Sequence, residues 1–141
     1  MKITKENAYI INSREFSLHD DMPETLSYDF TTEPNKRMLI MKIKKFPYGT
    51  EKYTLTFGEV LAFETTACDF WGPSDRISCF AYLEGDECTL IPKLKAEEEK
   101  WCKDCSKIDF DNYIETFFEF VSGDTMRIVS KSICRHQQMN R

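Results

Sequence analysis

The stretch Ile114-Glu-Thr-Phe-Phe-Glu-Phe-Val-Ser-Gly-Asp-Thr-Met-Arg-Ile128 decides the fold. Ile114, Thr116, Phe118 and Phe120 alternate with Glu115, Phe117 and Glu119. That is the period of a strand, whose successive side chains point to opposite faces. Ser122-Gly-Asp124 supplies a turn with a central glycine, and Met126 and Ile128 take up the apolar face again. A β-hairpin follows from these residues alone.

The same period governs most of the chain. Leu26, Tyr28 and Phe30 share one face of a strand expected over 24–32, which Pro34-Asn35 ends. The run from Arg37 to Phe46 is almost continuously apolar from 38 to 41, which predicts a central strand buried on both sides at that end. Pro47-Tyr-Gly-Thr50 is a turn by composition. Strands are expected over 52–57 and 60–66, with Gly58 as a bulge or tight hairpin between them. After the aromatic turn Asp69-Phe-Trp-Gly-Pro-Ser-Asp75, strands are expected over 76–83 and 88–92, joined by Glu84-Gly-Asp-Glu87 as a hairpin loop.

From Lys93 the pattern changes. Apolar groups at 94, 101, 102 and 105 fall on one helical stripe among good helix formers. A short amphipathic helix is predicted over 93–105, docked on the sheet by Leu94 and Trp101. Residues 135–141, rich in His, Gln and Arg, read as a frayed tail. The expected fold class is therefore α+β, mostly antiparallel β. Seven to nine strands would lie in one sheet or a partly open barrel, as a single β-rich domain over 1–141.

Composition sets bounds on function. The 141 residues are 41% hydrophobic and 13% aromatic, enough for a packed core without staples. No apolar run approaches the ~20 residues of a membrane helix, and the N-terminus lacks the apolar core of a signal peptide. A cytoplasmic protein without a membrane is expected. The net charge of −5 argues against nucleic acid as the partner and favours a basic protein. Basic clusters at Arg37, Lys42, Lys44 and Lys45, and at Arg127, Lys131, Arg135 and Arg141, read as solvated strand faces and a charged tail. The six cysteines are expected to be reduced, with Cys79 and Cys88 as small core residues.

Motifs for chemistry are sparse. His19-Asp20 has too few other histidines to build a metal hydrolase, since His136 is the only other one. The Cys-x-x-Cys at Cys102 and Cys105 falls near a helix C-terminus, where the dipole disfavours a thiolate, so a redox role is not expected. The same pair with Cys134 and His136 offers the ligand types of a zinc site, and a zinc- or thiol-dependent binding module is the alternative reading. The five glycines fit neither a phosphate loop nor a dinucleotide fingerprint, and no nucleophile elbow is present. No enzyme and no cofactor are expected. Trp71 in its Gly-Pro turn reads either as a buried corner-filler, since Trp is highly buried on average, or as an interface anchor, with Asp69, Asp75 and Arg76 as its polar rim and Asp20 and Asp21 as an added acidic patch.

Four segments carry a resemblance: Phe16-Ser-Leu-His-Asp20, Phe57-Gly-Glu-Val60, Phe70-Trp-Gly-Pro-Ser74 and the Phe118-Glu-Phe-Val-Ser-Gly-Asp124 turn. Together they resemble small bacterial immunity proteins of polymorphic-toxin and contact-dependent growth inhibition systems. The resemblance implies a cytoplasmic, non-enzymatic inhibitor that binds one cognate toxin domain, often a basic nuclease, and blocks it. It assigns no residue of this chain to an interface.

Overall fold

A computed structural model of the chain describes residues 1–13, 21–29, 31, 33–45, 52–67, 80–101, 108–119 and 124–138. Nine strands and one α-helix run through them. The strands are β1 (Lys2–Ile3), β2 (Asp21–Tyr28), β3 (Met38–Lys45), β4 (Lys52–Gly58), β5 (Ala62–Thr66), β6 (Phe80–Leu83), β7 (Ile114–Glu119), β8 (Thr125–Ser130) and β9 (Ser132–Gln138), and the helix is α1 (Leu90–Trp101). They form two antiparallel sheets, in the orders β1-β9-β4-β3-β2 and β5-β8-β7-β6. The class is α+β, mostly antiparallel β, as expected, and the strands lie in two sheets of five and four where one sheet was expected.

Alternation explains the two layers. Leu39, Met41, Tyr53, Leu55, Phe57 and Ile133 of the larger sheet meet Phe80, Tyr82, Ile114, Phe118, Met126 and Ile128 of the smaller in one buried core. The apolar inner faces of two sheets hide each other by stacking. The two strands read from 114–128 pair as expected, Ile114 with Ser130 and Phe118 with Met126, while Phe120 and the turn residues Ser122 and Gly123 lie outside the described residues. The β3 strand has neighbours on both sides, yet Leu39 and Met41 are buried while Met38 is exposed and Ile40 half-buried. One face of β3 looks outward, so burial on both sides at that end is corrected.

The layers are joined at a corner. Chain direction passes from β4 to β5 through Glu59 and from β8 to β9 through Lys131, so both pairs change sheet at the same place. There Gly58 pairs with Ser132, the Lys131 N–H donates to the Gly58 carbonyl at 3.0 Å, and the Leu61 N–H donates to Val129 at 2.9 Å. A side chain at Gly58 would put its Cβ 2.6 Å from the Ser132 Oγ, so any other residue would have to push that hydroxyl aside. Glu59 turns the chain with a left-handed φ of 49°, and its carboxylate holds Lys131 at 3.2 Å. Gly58 is thus a crossing between sheets, neither bulge nor hairpin.

Two more corrections concern the ends of elements. Residues 135–138, expected in a frayed tail, belong to β9, which lies between β1 and β4. Residues 88–92, expected as a strand, lead into and begin α1; β6 pairs with β7 instead. Among the described residues no strand pairs with the side of β6 away from β7, and the 3₁₀ turn Ala8–Asn12 closes that edge. The Tyr82 N–H donates to the Asn12 Oδ1 at 2.8 Å, and the Asn12 amide donates back to the Tyr82 carbonyl at 3.2 Å. One side chain satisfies a strand residue as a neighbouring strand would. Among the described residues no helix is long and apolar enough to cross a membrane.

Candidate functional site

The site is built on α1, and α1 starts where it does because of β7. The first turn of a helix leaves N–H groups without intrahelical partners. Here the fully buried Glu115 carboxylate takes them: Oε2 accepts from Thr89 at 2.9 Å and Leu90 at 3.2 Å, and Oε1 from Ile91 at 2.7 Å. Pro92 follows, which has no N–H to satisfy and suits a first turn. Arg127 closes the arrangement, its Nη1 donating to the same Oε2 at 3.1 Å. The guanidinium also lies 5.1 Å from the Phe117 ring centre and donates to the Glu87 carbonyl.

Among the described residues only the first half of α1 docks. Leu90, Ile91 and Leu94 pack on Tyr113, Val129, Leu61 and Ala62, covering the outer face of the smaller sheet. Beyond Leu94 the stripe carries Glu98, a carboxylate. Its Oε2 accepts the Ile108 N–H at 3.0 Å and so ties the returning chain to the helix. Trp101, expected to dock on the sheet, is 72% exposed. Its indole N–H donates to Glu97 one turn back at 3.0 Å, and the Lys100 ammonium lies 5.2 Å from its ring centre.

The returning chain makes the other wall. Asp109 precedes the 3₁₀ turn Phe110–Asn112, accepting the Asp111 N–H at Oδ1 and the Asn112 amide at Oδ2. A cleft of about 270 Å³ opens between helix and turn, with Lys95, Glu98 and Glu99 on one side and Ile108 to Asp111 on the other. Residues 95–101 and 108–111 hold five carboxylates against the ammonium groups of Lys95 and Lys100. Beside them stand two large exposed apolar groups, Trp101 and the 40%-exposed Ile108.

A second cleft of about 410 Å³ lies at the corner, among Lys2, Lys5, Glu6, Glu59, Asn112 and Lys131. It is larger, but two of its three lysines, Lys5 and Lys131, are engaged. Lys5 donates to the Tyr82 hydroxyl at 2.9 Å, and Lys131 is bonded to Glu59 and lies 5.5 Å from the Tyr113 ring centre. The hydrogen bond to Glu59 raises the Lys131 pKa, and burial raises that of Tyr113. This is the pinning of a bend.

Of the residues expected to bind a partner, Asp20, Asp69, Trp71, Asp75 and Arg76 lie outside the described residues. Asp21 begins β2 and pairs with Lys45. Of the four proposed zinc ligands, Cys102 and Cys105 lie outside the described residues. Cys134 and His136 share the outward face of β9, on the side of the stacked sheets away from α1. Among the described residues no group of three or more His, Cys, Asp or Glu is placed to hold a metal ion. Cys88 is a free, half-buried thiol beside Ala81, Leu83 and Phe117, donating to the Leu83 carbonyl at 3.4 Å; Cys79 lies outside. In the cluster of Arg127, Lys131, Arg135 and Arg141 the first two are in ion pairs and Arg135 lies 4.5 Å from the Tyr53 ring centre, while Arg141 lies outside the described residues.

The surface at Trp101 was missed because the helical stripe assigns Trp101 to the sheet. The signal that locates it is Glu98, which interrupts that stripe between Leu94 and Trp101. No family model, no curated protein and no solved structure matches the chain.

Proposed function

We propose that this chain is a binding protein that covers a basic protein partner, and that the partner is a cognate toxin domain, as the resemblance to immunity proteins implies. The observation that carries the reading is the outer end of α1, where exposed Trp101 and Ile108 are rimmed by carboxylates of Glu97, Glu98, Glu99, Asp109 and Asp111. Tryptophan anchors with polar rims dominate the energetics of protein interfaces. A negative rim raises the association rate with a positive partner and selects against acidic ones. Inhibition then follows from occlusion: the acidic surface occupies the basic ground on which a nuclease grips phosphate.

The test is growth. The C-terminal domain of the protein encoded immediately upstream is produced alone, with this chain, and with its Trp101→Ala variant. The expected result is arrest, rescue and loss of rescue, with the variant's melting temperature unchanged because Trp101 supports no core. Arrest undiminished by the wild-type chain, or no arrest to relieve, would overturn the reading. For the purified pair, the association rate should fall steeply with added salt.

A further inference from the structure

We infer that the cleft between α1 and residues 108–111 seats one arginine side chain of the partner, with the Phe110 ring as its floor and Glu99 and Asp111 as its counter-ions. This rests on the partner-binding reading and names the group that the surface takes.

A positive charge already marks the place. The Lys95 ammonium lies 5.9 Å from the Phe110 ring centre, within the range of attraction between a cation and an aromatic face. Lys95 is exposed and makes no ion pair among the described residues, so an incoming cation displaces it at little cost. The four carboxylates of the cleft divide into two kinds. Glu98 holds the Ile108 N–H, and both oxygens of Asp109 are bonded within the turn. The carboxylates of Glu99 and Asp111 have no partner among the described residues.

Ile108 and Phe110 give the cleft an apolar lining, which suits the methylene stem of a long basic side chain. Two carboxylates on separate elements favour a planar guanidinium fork over a compact ammonium. At about 270 Å³ the space falls below the roughly 300–1,000 Å³ of small-molecule sites, and is suited to a single side chain. Trp101, six residues beyond Lys95 on α1, offers apolar contact to the residues flanking that arginine.

The test needs no partner. The ¹⁵N-labelled full chain is titrated with acetyl-Gly-Arg-Gly-amide, and with the same peptide carrying citrulline, which keeps the shape and loses the charge. Amide shifts confined to 95–101 and 108–111 are expected with arginine only. In Glu99→Gln/Asp111→Asn the affinity should fall by about tenfold, while the melting curve holds, since both side chains are exposed. Equal shifts with citrulline, shifts centred elsewhere, no shifts, or an undiminished double variant would each overturn the inference. Any of these leaves the growth assay to stand by itself, and a failed growth assay leaves the titration standing.

Discussion

Glu115 on β7 and Arg127 on β8 form a buried ion pair at 3.1 Å whose carboxylate also receives the N–H groups of Thr89, Leu90 and Ile91. One side chain therefore holds the start of α1 to the smaller sheet. Replacing it by glutamine leaves the Arg127 guanidinium without a counter-ion and turns an amide donor toward other donors. Glu115→Gln is expected to lower stability by about 3 kcal/mol, in the range for breaking a buried pair. Urea unfolding measures the loss, and hydrogen exchange should show the amides of 89–91 losing protection. An unchanged midpoint would mean the helix is held by its apolar contacts alone.

The corner makes a steric prediction. Gly58→Ala drives a methyl group against the Ser132 Oγ and should cost about 1–3 kcal/mol, the usual range for overpacking. Adding Ser132→Ala removes the obstructing oxygen and should return a substantial part of that loss. The two changes in a double-mutant cycle must then be non-additive. Strict additivity would remove the contact from the account of the bend.

A third expectation concerns alkaline pH. The Lys131 and Tyr113 pKa values are both raised, from ordinary values of 10.5 and 10.0, by the Glu59 hydrogen bond and by burial respectively. A raised value means that the folded state holds its proton more tightly than the unfolded chain does. The associated stability is complete below the unfolded values and is lost as pH rises through the folded ones. Melting temperatures should therefore decline above about pH 10, and less steeply in Lys131→Met. Cys88 acts in the same direction, since burial raises its thiol above the ordinary 9.0, and its alkylation near neutral pH should be slower than that of free cysteine.

Much of this arrangement is legible in the residues, and the misses have particular causes. The 114–128 hairpin reads plainly because its two faces meet different surroundings, the stacked sheet on one side and the helix layer on the other. The β9 strand is hidden because Ile133 is the only apolar side chain that it places in the core. It is a strand because it continues β8 around the corner and pairs along β4. The segment from 88 to 92 has a strand's composition, and the group that makes it helical, Glu115, lies 24 to 26 residues further on. Trp101 follows the periodicity of its helix, but periodicity does not say where the supporting surface ends. The aromatic turn from 69 to 75, expected as a recognition surface, lies outside the described residues, and Trp101 and Ile108 belong to two segments that only the fold brings together.

Asn12 supplies a fourth prediction. Its amide is both donor and acceptor to Tyr82 at the edge of β6 away from β7. Asn12→Ala should cost about 1–3 kcal/mol for the unpaired groups. It should also make the chain associate as concentration rises, because an unpaired strand edge templates pairing with another chain. Size-exclusion chromatography across a dilution series checks the second effect, and a monodisperse profile at every concentration would show that the edge is guarded by something else.

The paired crossings at Gly58 and Lys131 carry a mechanical consequence. Two neighbouring ribbons belong to both layers at once, so no seam of side-chain contacts alone divides one layer from the other. Separating them means tearing the backbone ladder at the fold line itself. The layers should therefore melt together, in one transition seen alike by any probe placed in either.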